Sequence, residues 1–116
     1  MIEPLRRRQD FLRAANAMNC RTPGFFLQAR KRSGTDDSMR VGFTCSRRIG
    51  NAVARNHAKR RLREAARIML PKHGRGGWDY VLIGLRDVTE TRRFSRLLDD
   101  LETALHTAHK ARCRGR

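Results

Sequence analysis

The stretch Val41-Gly42-Phe43-Thr44-Cys45-Ser46-Arg47-Arg48-Ile49-Gly50-Asn51-Ala52-Val53-Ala54-Arg55-Asn56-His57-Ala58-Lys59-Arg60-Arg61-Leu62-Arg63-Glu64 changes its period once. From Met39 to Ser46 the residues alternate. Val41, Phe43 and Cys45 share one face, and Gly42, Thr44 and Ser46 share the other, so a strand is predicted. Arg47-Arg48-Ile49-Gly50-Asn51 follows as a basic turn. A helix is then predicted from Asn51–Val53 to about Leu70, with Pro71 as its stop. Turning about 100° per residue, that helix gathers Ala58, Leu62, Ala65, Ala66 and Met69 on a core face. Asn56, Lys59, Arg60, Arg63 and Arg67 fall in an arc of roughly 100° on another side. They form one ridge about 16 Å long, the span of two or three phosphates. Only Glu64 is acidic between Val53 and Leu70, and it sits off the ridge. The like charges therefore lack acidic partners one helical turn away and require an external anion.

Working outward, residues 6–18 read as a short helix, with Leu5, Phe11, Leu12 and Ala15 at near-helical spacing. Thr22-Pro23-Gly24 punctuates the chain, and Phe25 to Arg30 is strand-like. The polar loop from Lys31 to Ser38 separates that strand from the alternating one, so an antiparallel hairpin is predicted. Beyond the central helix, Lys72 to Gly77 is a basic loop, and Trp78 to Leu85 is the third and most apolar strand. The last helix is predicted from about Thr91 to Lys110, with an apolar stripe of Phe94, Leu97, Leu98, Leu101, Ala104, Leu105 and Ala108. Residues 111–116 read as a frayed tail. The order α-β-β-α-β-α predicts a small α+β fold, a single domain over residues 1–116 with helices packed on a short mixed sheet.

Composition narrows the function. The 116 residues carry 27 Lys or Arg against 11 Asp or Glu, a formal charge of +16. A body this small with such a surplus repels itself unless a polyanion neutralises it, and counterion release rewards that partner. Only four of the cations are lysines: Lys31, Lys59, Lys72 and Lys110. Arginine forks to phosphate and stacks on bases, which favours nucleic acid over an anionic membrane. No apolar run approaches the ~20 residues of a membrane span, and no apolar run follows the charges of Arg6, Arg7 and Arg8 as in a secretory signal. Cys20, Cys45 and Cys113 make no CxxC pair, so neither a disulfide framework nor a zinc module is expected, and the cytoplasm is the expected location.

The quoted stretch closely resembles the bacterial ribonuclease P protein family. The features that carry the likeness are Gly50-Asn51-Ala52-Val53 leading into Arg55-Asn56-His57 and the Lys59-Arg60 pair. Asp10-Phe11 and Asp79-Tyr80-Val81-Leu82-Ile83 extend it more weakly over the chain. One departure is His57, where the family has a third-position arginine; a phosphate contact there would depend on protonation. The resemblance implies a fold like the second domain of ribosomal protein S5, with an unusual left-handed β-α-β crossover. It also implies one protein per catalytic RNA, and removal of the 5′ leader from precursor tRNA. The RNA carries the chemistry and holds the Mg2+, and no catalytic or metal-ligating residue is expected in the protein. Carried over position by position, Arg55, Asn56, His57, Lys59, Arg60, Arg63 and Arg67, with Arg47 and Arg48 of the turn, would bind the RNA subunit. Phe11, Phe26 and Gln28 would line a groove for the leader, and Ala15 stands where some relatives have a second aromatic. Flat apolar faces with nearby cations are what single-stranded RNA requires.

A protein nuclease would need clustered carboxylates or a poised acid and base. Asp36-Asp37 lies in a soft loop, and Asp99 and Asp100 point in different directions on the last helix. His106, His109 and Cys113 have a spacing open to a metal but sit near a terminus. Gly74-x-Gly76-Gly77 lacks the Lys-Ser/Thr of a phosphate-binding loop and reads as a hinge. Two other readings remain: a structural RNA-binding protein such as a small ribosomal protein, and a DNA-binding regulator. The second is weakened because only Asn56 on the ridge suits base readout and no helix-turn-helix precedes it.

Overall fold

The computed structural model describes residues 2–34, 36–45 and 50–110. In chain order the elements are β1 (Ile2–Pro4), α1 (Arg8–Ala15), β2 (Met18–Arg21), β3 (Phe25–Lys31), β4 (Met39–Cys45), α2 (Ala52–His73), β5 (Trp78–Gly84), α3 (Val88–Thr91) and α4 (Phe94–His109). They build the expected α+β fold on a mixed sheet, ordered β1-β4-β5-β3-β2. Asp79 is the one charged residue of β5, and both faces of that strand are buried. Such a strand belongs at the centre of a sheet.

That placement corrects the hairpin expectation. β3 and β4 do not pair with each other; β5 lies between them, antiparallel to β3 and parallel to β4. The parallel β4–β5 pair requires a crossover, and α2 supplies it. The sheet also has two strands that the periodicity did not reveal. β1 has only three residues and runs parallel to β4. β2 begins at Met18, the last residue of the predicted first helix, and pairs antiparallel with β3. The helix stops at Ala15, where the Asn19 amide donates to the Ala15 carbonyl at 2.9 Å and leaves the following backbone free to pair.

Alternation along the strands creates two layers. Phe25, Leu27, Ala29, Val41, Tyr80 and Leu82 face α2 and α4 in the main core, against Leu62, Leu70, Leu97, Leu101 and Leu105. Each fully buried leucine contributes roughly 1.5–3 kcal/mol. Val81 faces the opposite way, into a smaller cluster with Leu5 and Ala14 under α1, to which Phe11 and Ile83 add.

Two helix boundaries differ from expectation. α2 continues through Pro71 to His73. Proline lacks an N–H, but here it stands in the last turn, where Gly74 N–H closes on the Leu70 carbonyl at 2.8 Å and Leu70 stays fully buried. The last helix is split, with α3 separate from α4. At the break, Arg92 takes an extended backbone and forks onto the buried Asp100 carboxylate at 2.7 and 3.1 Å. Cys45 is a free thiol. Arg47, Arg48 and the tail over 111–116 lie outside the described residues.

Candidate nucleic-acid interface

Cross-strand register arranges the α1 side of the sheet in rows. Arg30, Asp79 and Arg40 lie side by side in one row, and Asn19, Gln28, Val81 and Gly42 in the next. Arg21, Phe26, Ile83 and Thr44 form a third. α1 packs over the first two rows. Gly42 is what lets it approach: a Cβ there would meet the Phe11 ring at 2.6 Å. The third row is left half-open, and Arg21 sits 5.2 Å over the Phe26 ring as a cation–π pair.

The first row is a buried charge lattice. Asp79 is fully buried and takes Arg32 at 2.5 Å, Arg40 at 2.7 and 2.8 Å, and Arg30 at 3.8 Å. Arg40 reaches on to Asp10 of α1 at 3.3 Å. Three strands are thus tied through Asp79 and a helix is added through Asp10, and those arginines are spent inside the protein. Nothing in the local sequence marks this arrangement, because the partners come from three separate strands.

The α2 ridge is built from the helix start. Asn51 caps it, its side-chain oxygen accepting from Ala54 N–H at 3.0 Å. The Cys45 thiol donates to the Arg55 carbonyl at 3.5 Å, which sets the first turn beside the end of β4. Ala58, Leu62, Ala65, Ala66 and Leu70 are buried, so the opposite arc faces outward. Arg55, Asn56, Arg60 and Arg63 are exposed and Lys59 is half-buried. Among the described residues, no carboxylate lies within ion-pair distance of Arg55, Lys59, Arg60 or Arg63. Two members of the ridge differ. Glu64 does pair with Arg67, contrary to the expectation that it stands apart from the ridge. His57 Nδ1 lies 3.1 Å from Glu90 of α3. Arg61, next to Arg60 in the chain, points away and donates to the carbonyls of Thr89, Glu90 and Arg92 at 2.6–2.8 Å.

A groove of about 390 Å³ joins the ridge to the sheet. Phe11, Gly42 and Phe43 supply its apolar wall, and Lys59 and Arg63 its cationic one. The Arg63 guanidinium also lies 5.4 Å from the Phe43 ring centre. Phe11 and the ridge thus meet in one depression. Phe26 and Gln28 lie on the same side of the sheet as Phe11, Phe26 half-exposed in the open row. Gln28 donates to Asn19 at 3.0 Å, so its amide is held by the protein. Phe43 was missed as a groove residue because its alternation places it on the main-core face; the groove wraps around the edge of β4 to reach it. Trp78 and Tyr80 are buried structural aromatics.

Comparison with known proteins gives a consistent result. The family model described as Ribonuclease P matches residues 2–109. The chain is 58% identical over 109 residues to the ribonuclease P protein component of Ruegeria pomeroyi, covering 93% of this chain and 87% of that one. It is 54% identical over 104 residues to that of Caulobacter vibrioides, covering 90% and 69%. Among solved structures, the RNase P protein from Thermotoga maritima superposes with a TM-score of 0.69 at 30% identity, covering 89% of this chain and 94% of that one. The RNase P protein of Staphylococcus aureus shares the fold, with a TM-score of 0.70 at 24% identity and coverage of 90% and 94%.

Proposed function

The chain belongs to the ribonuclease P protein family, and on that premise we propose how its surface is divided between two RNAs. As a family member it is an RNA-binding subunit of an endoribonuclease holoenzyme that serves maturation of the tRNA 5′ end. The outward arc of α2, with Arg55, Asn56, Lys59, Arg60 and Arg63, binds the catalytic RNA. Arg47 and Arg48 of the preceding turn, and His57 and Arg67 at the flanks, extend that contact. The groove beside it, with Phe11, and the open row with Phe26 and Gln28, takes the single-stranded 5′ leader of precursor tRNA. One protein serves one catalytic RNA, in the cytoplasm.

The observation that carries this reading is the unneutralised cationic arc opening into an aromatic groove. A phosphodiester backbone answers the first and unpaired bases the second. Mg2+ is the metal the reading implies, and it prefers several oxygen ligands in octahedral array. The donor set of this surface does not suit it. Asp79, Asp10 and Asp100 are engaged by arginines, and the ridge presents cations. The ions therefore fall to the RNA, and the protein's part is to bind, orient and screen charge.

Reconstitution with the cognate RNA tests the division. Phe11→Ala should weaken leader-bearing precursor relative to leaderless tRNA by roughly 1–3 kcal/mol, the value of a base stacked on an aromatic ring. Equal losses for both would reduce Phe11 to packing. Cleavage by the protein with no RNA subunit present would overturn the holoenzyme reading itself.

A further inference from the structure

At the far end of α2 from the Asn51 cap, a second cluster of polar side chains has no part in the RNA surface. His73, in the last turn of α2, faces His106 and Glu102 on α4. Glu102 and His106 are four residues apart and so project from one side of their helix. His73 Nδ1 and His106 Nε2 are 3.4 Å apart, and the rings meet edge-on with centroids 5.2 Å apart. Glu102 Oε2 lies 4.0 Å from His73 Nε2. One ligand atom from each of the three residues lies within 4.8 Å of the others.

We propose that His73, Glu102 and His106 form a binding site for a transition-metal cation of the Zn2+ type, which clamps the end of α2 to α4. Two nitrogens held about 2.0–2.1 Å from one zinc ion at a tetrahedral angle stand about 3.3–3.4 Å apart. The imidazole pair already has that spacing, and it is long for a hydrogen bond between ring nitrogens. Glu102 is 42% exposed and its carboxylate is one of three groups whose ligand atoms lie within 4.8 Å of one another, so its side chain is free to rotate inward. Two imidazoles and one carboxylate suit Zn2+, Co2+ or Ni2+, and discriminate against Mg2+. Three protein ligands leave a fourth position open to water.

In the sequence, His106, His109 and Cys113 have a spacing open to a metal, a reading set aside because they sit near a terminus. The structure turns His109 inward, where its Nε2 lies 2.6 Å from the Tyr80 hydroxyl, so that histidine is committed elsewhere. His73 takes its place from a different helix. The site lies outside the groove and the ridge, and it stands or falls independently of the proposed RNA contacts.

Titration of the purified, untagged full-length chain with Co2+ provides the test. Saturable visible absorption bands of a four-coordinate N/O site are expected, lost on adding Zn2+ and unaffected by a large excess of Mg2+. Zn2+ should also raise Tm, increasingly with its concentration. His106→Ala and Glu102→Gln alter exposed side chains and should each weaken Zn2+ binding by about tenfold or more; His73→Ala should do the same. Absence of saturable bands, or bands unchanged in His106→Ala and Glu102→Gln, would overturn the site even if His73→Ala failed to fold.

Discussion

At the scale of single residues, the Tyr80 hydroxyl shows how proton positions are fixed inside the fold. It accepts from the Arg75 backbone N–H at 3.0 Å, and its oxygen lies 2.6 Å from His109 Nε2. A neutral His109 with its proton on Nδ1 accepts the phenol's proton there. Burial, helped by Arg75 and His106, pushes the His109 pKa down from 6.5 to about 4, while burial pushes the Tyr80 phenol up to about 12. The unfolded chain then binds a proton at His109 that the folded chain refuses. The stability contribution is fully present above about pH 6.5, falls as pH drops toward 4, and changes no further below that. A histidine NMR titration should place the His109 midpoint well below that of a free imidazole, with Tm falling over the same window. A midpoint near 6.5 would mean that the phenol donates elsewhere. The sequence placed Tyr80 on the most apolar strand, but its partner stands 29 residues away on another element, and no local pattern marks such a pair.

At the scale of elements, α3 is four residues long and cannot be stable alone. Two attachments hold it. Thr89 is fully buried; its hydroxyl donates to the Gly24 carbonyl at 2.6 Å and accepts from Leu85 N–H at 2.7 Å. Arg61 binds the carbonyls at the end of the element. Arg61→Ala should therefore cost about 2 kcal/mol or more in urea unfolding, because it strips a charged donor from three half-buried acceptors. Arg60→Ala, one residue away on the exposed arc, should stay within about 0.5 kcal/mol. Equal losses would mean that the two arginines are not divided between fold and surface. The helical angle separated Arg61 from the ridge in the sequence, and the core faces of α2 and α4 were equally legible. Strand pairing was less so. Alternation in β4 revealed a strand and its two faces but not its neighbour, and the loop before it suggested the nearest strand in the chain. The clue that β5 intervenes lay in its own run, Tyr80-Val81-Leu82-Ile83, apolar at successive positions as a strand covered on both faces must be. β1 and β2 offered too few residues for any period to emerge.

At the scale of the whole molecule, the charge of +16 is distributed unequally. Asp79, Asp10 and Asp100 draw Arg30, Arg32, Arg40 and Arg92 into the fold, and Glu64 holds Arg67. Part of the surplus is left where carboxylates are absent among the described residues, on the arc of Arg55, Lys59, Arg60 and Arg63. Salt dependence of RNA binding measures that surplus directly, since each neutralised phosphate adds roughly 0.7–0.9 to the slope of log Kobs against log salt. Arg60→Ala and Arg63→Ala should each lower the slope by about that amount and weaken binding across RNA sequences. Glu64→Gln acts in the opposite sense. It removes the carboxylate that occupies Arg67, frees one more cation at the end of the ridge, and should raise both affinity at low salt and the slope. If Glu64→Gln leaves the slope unchanged while Arg63→Ala lowers it, the RNA backbone ends at Arg63 and Arg67 lies beyond it. If neither Arg60→Ala nor Arg63→Ala moves the slope, the RNA is bound on another face, and the bare arc needs a different anion to explain it.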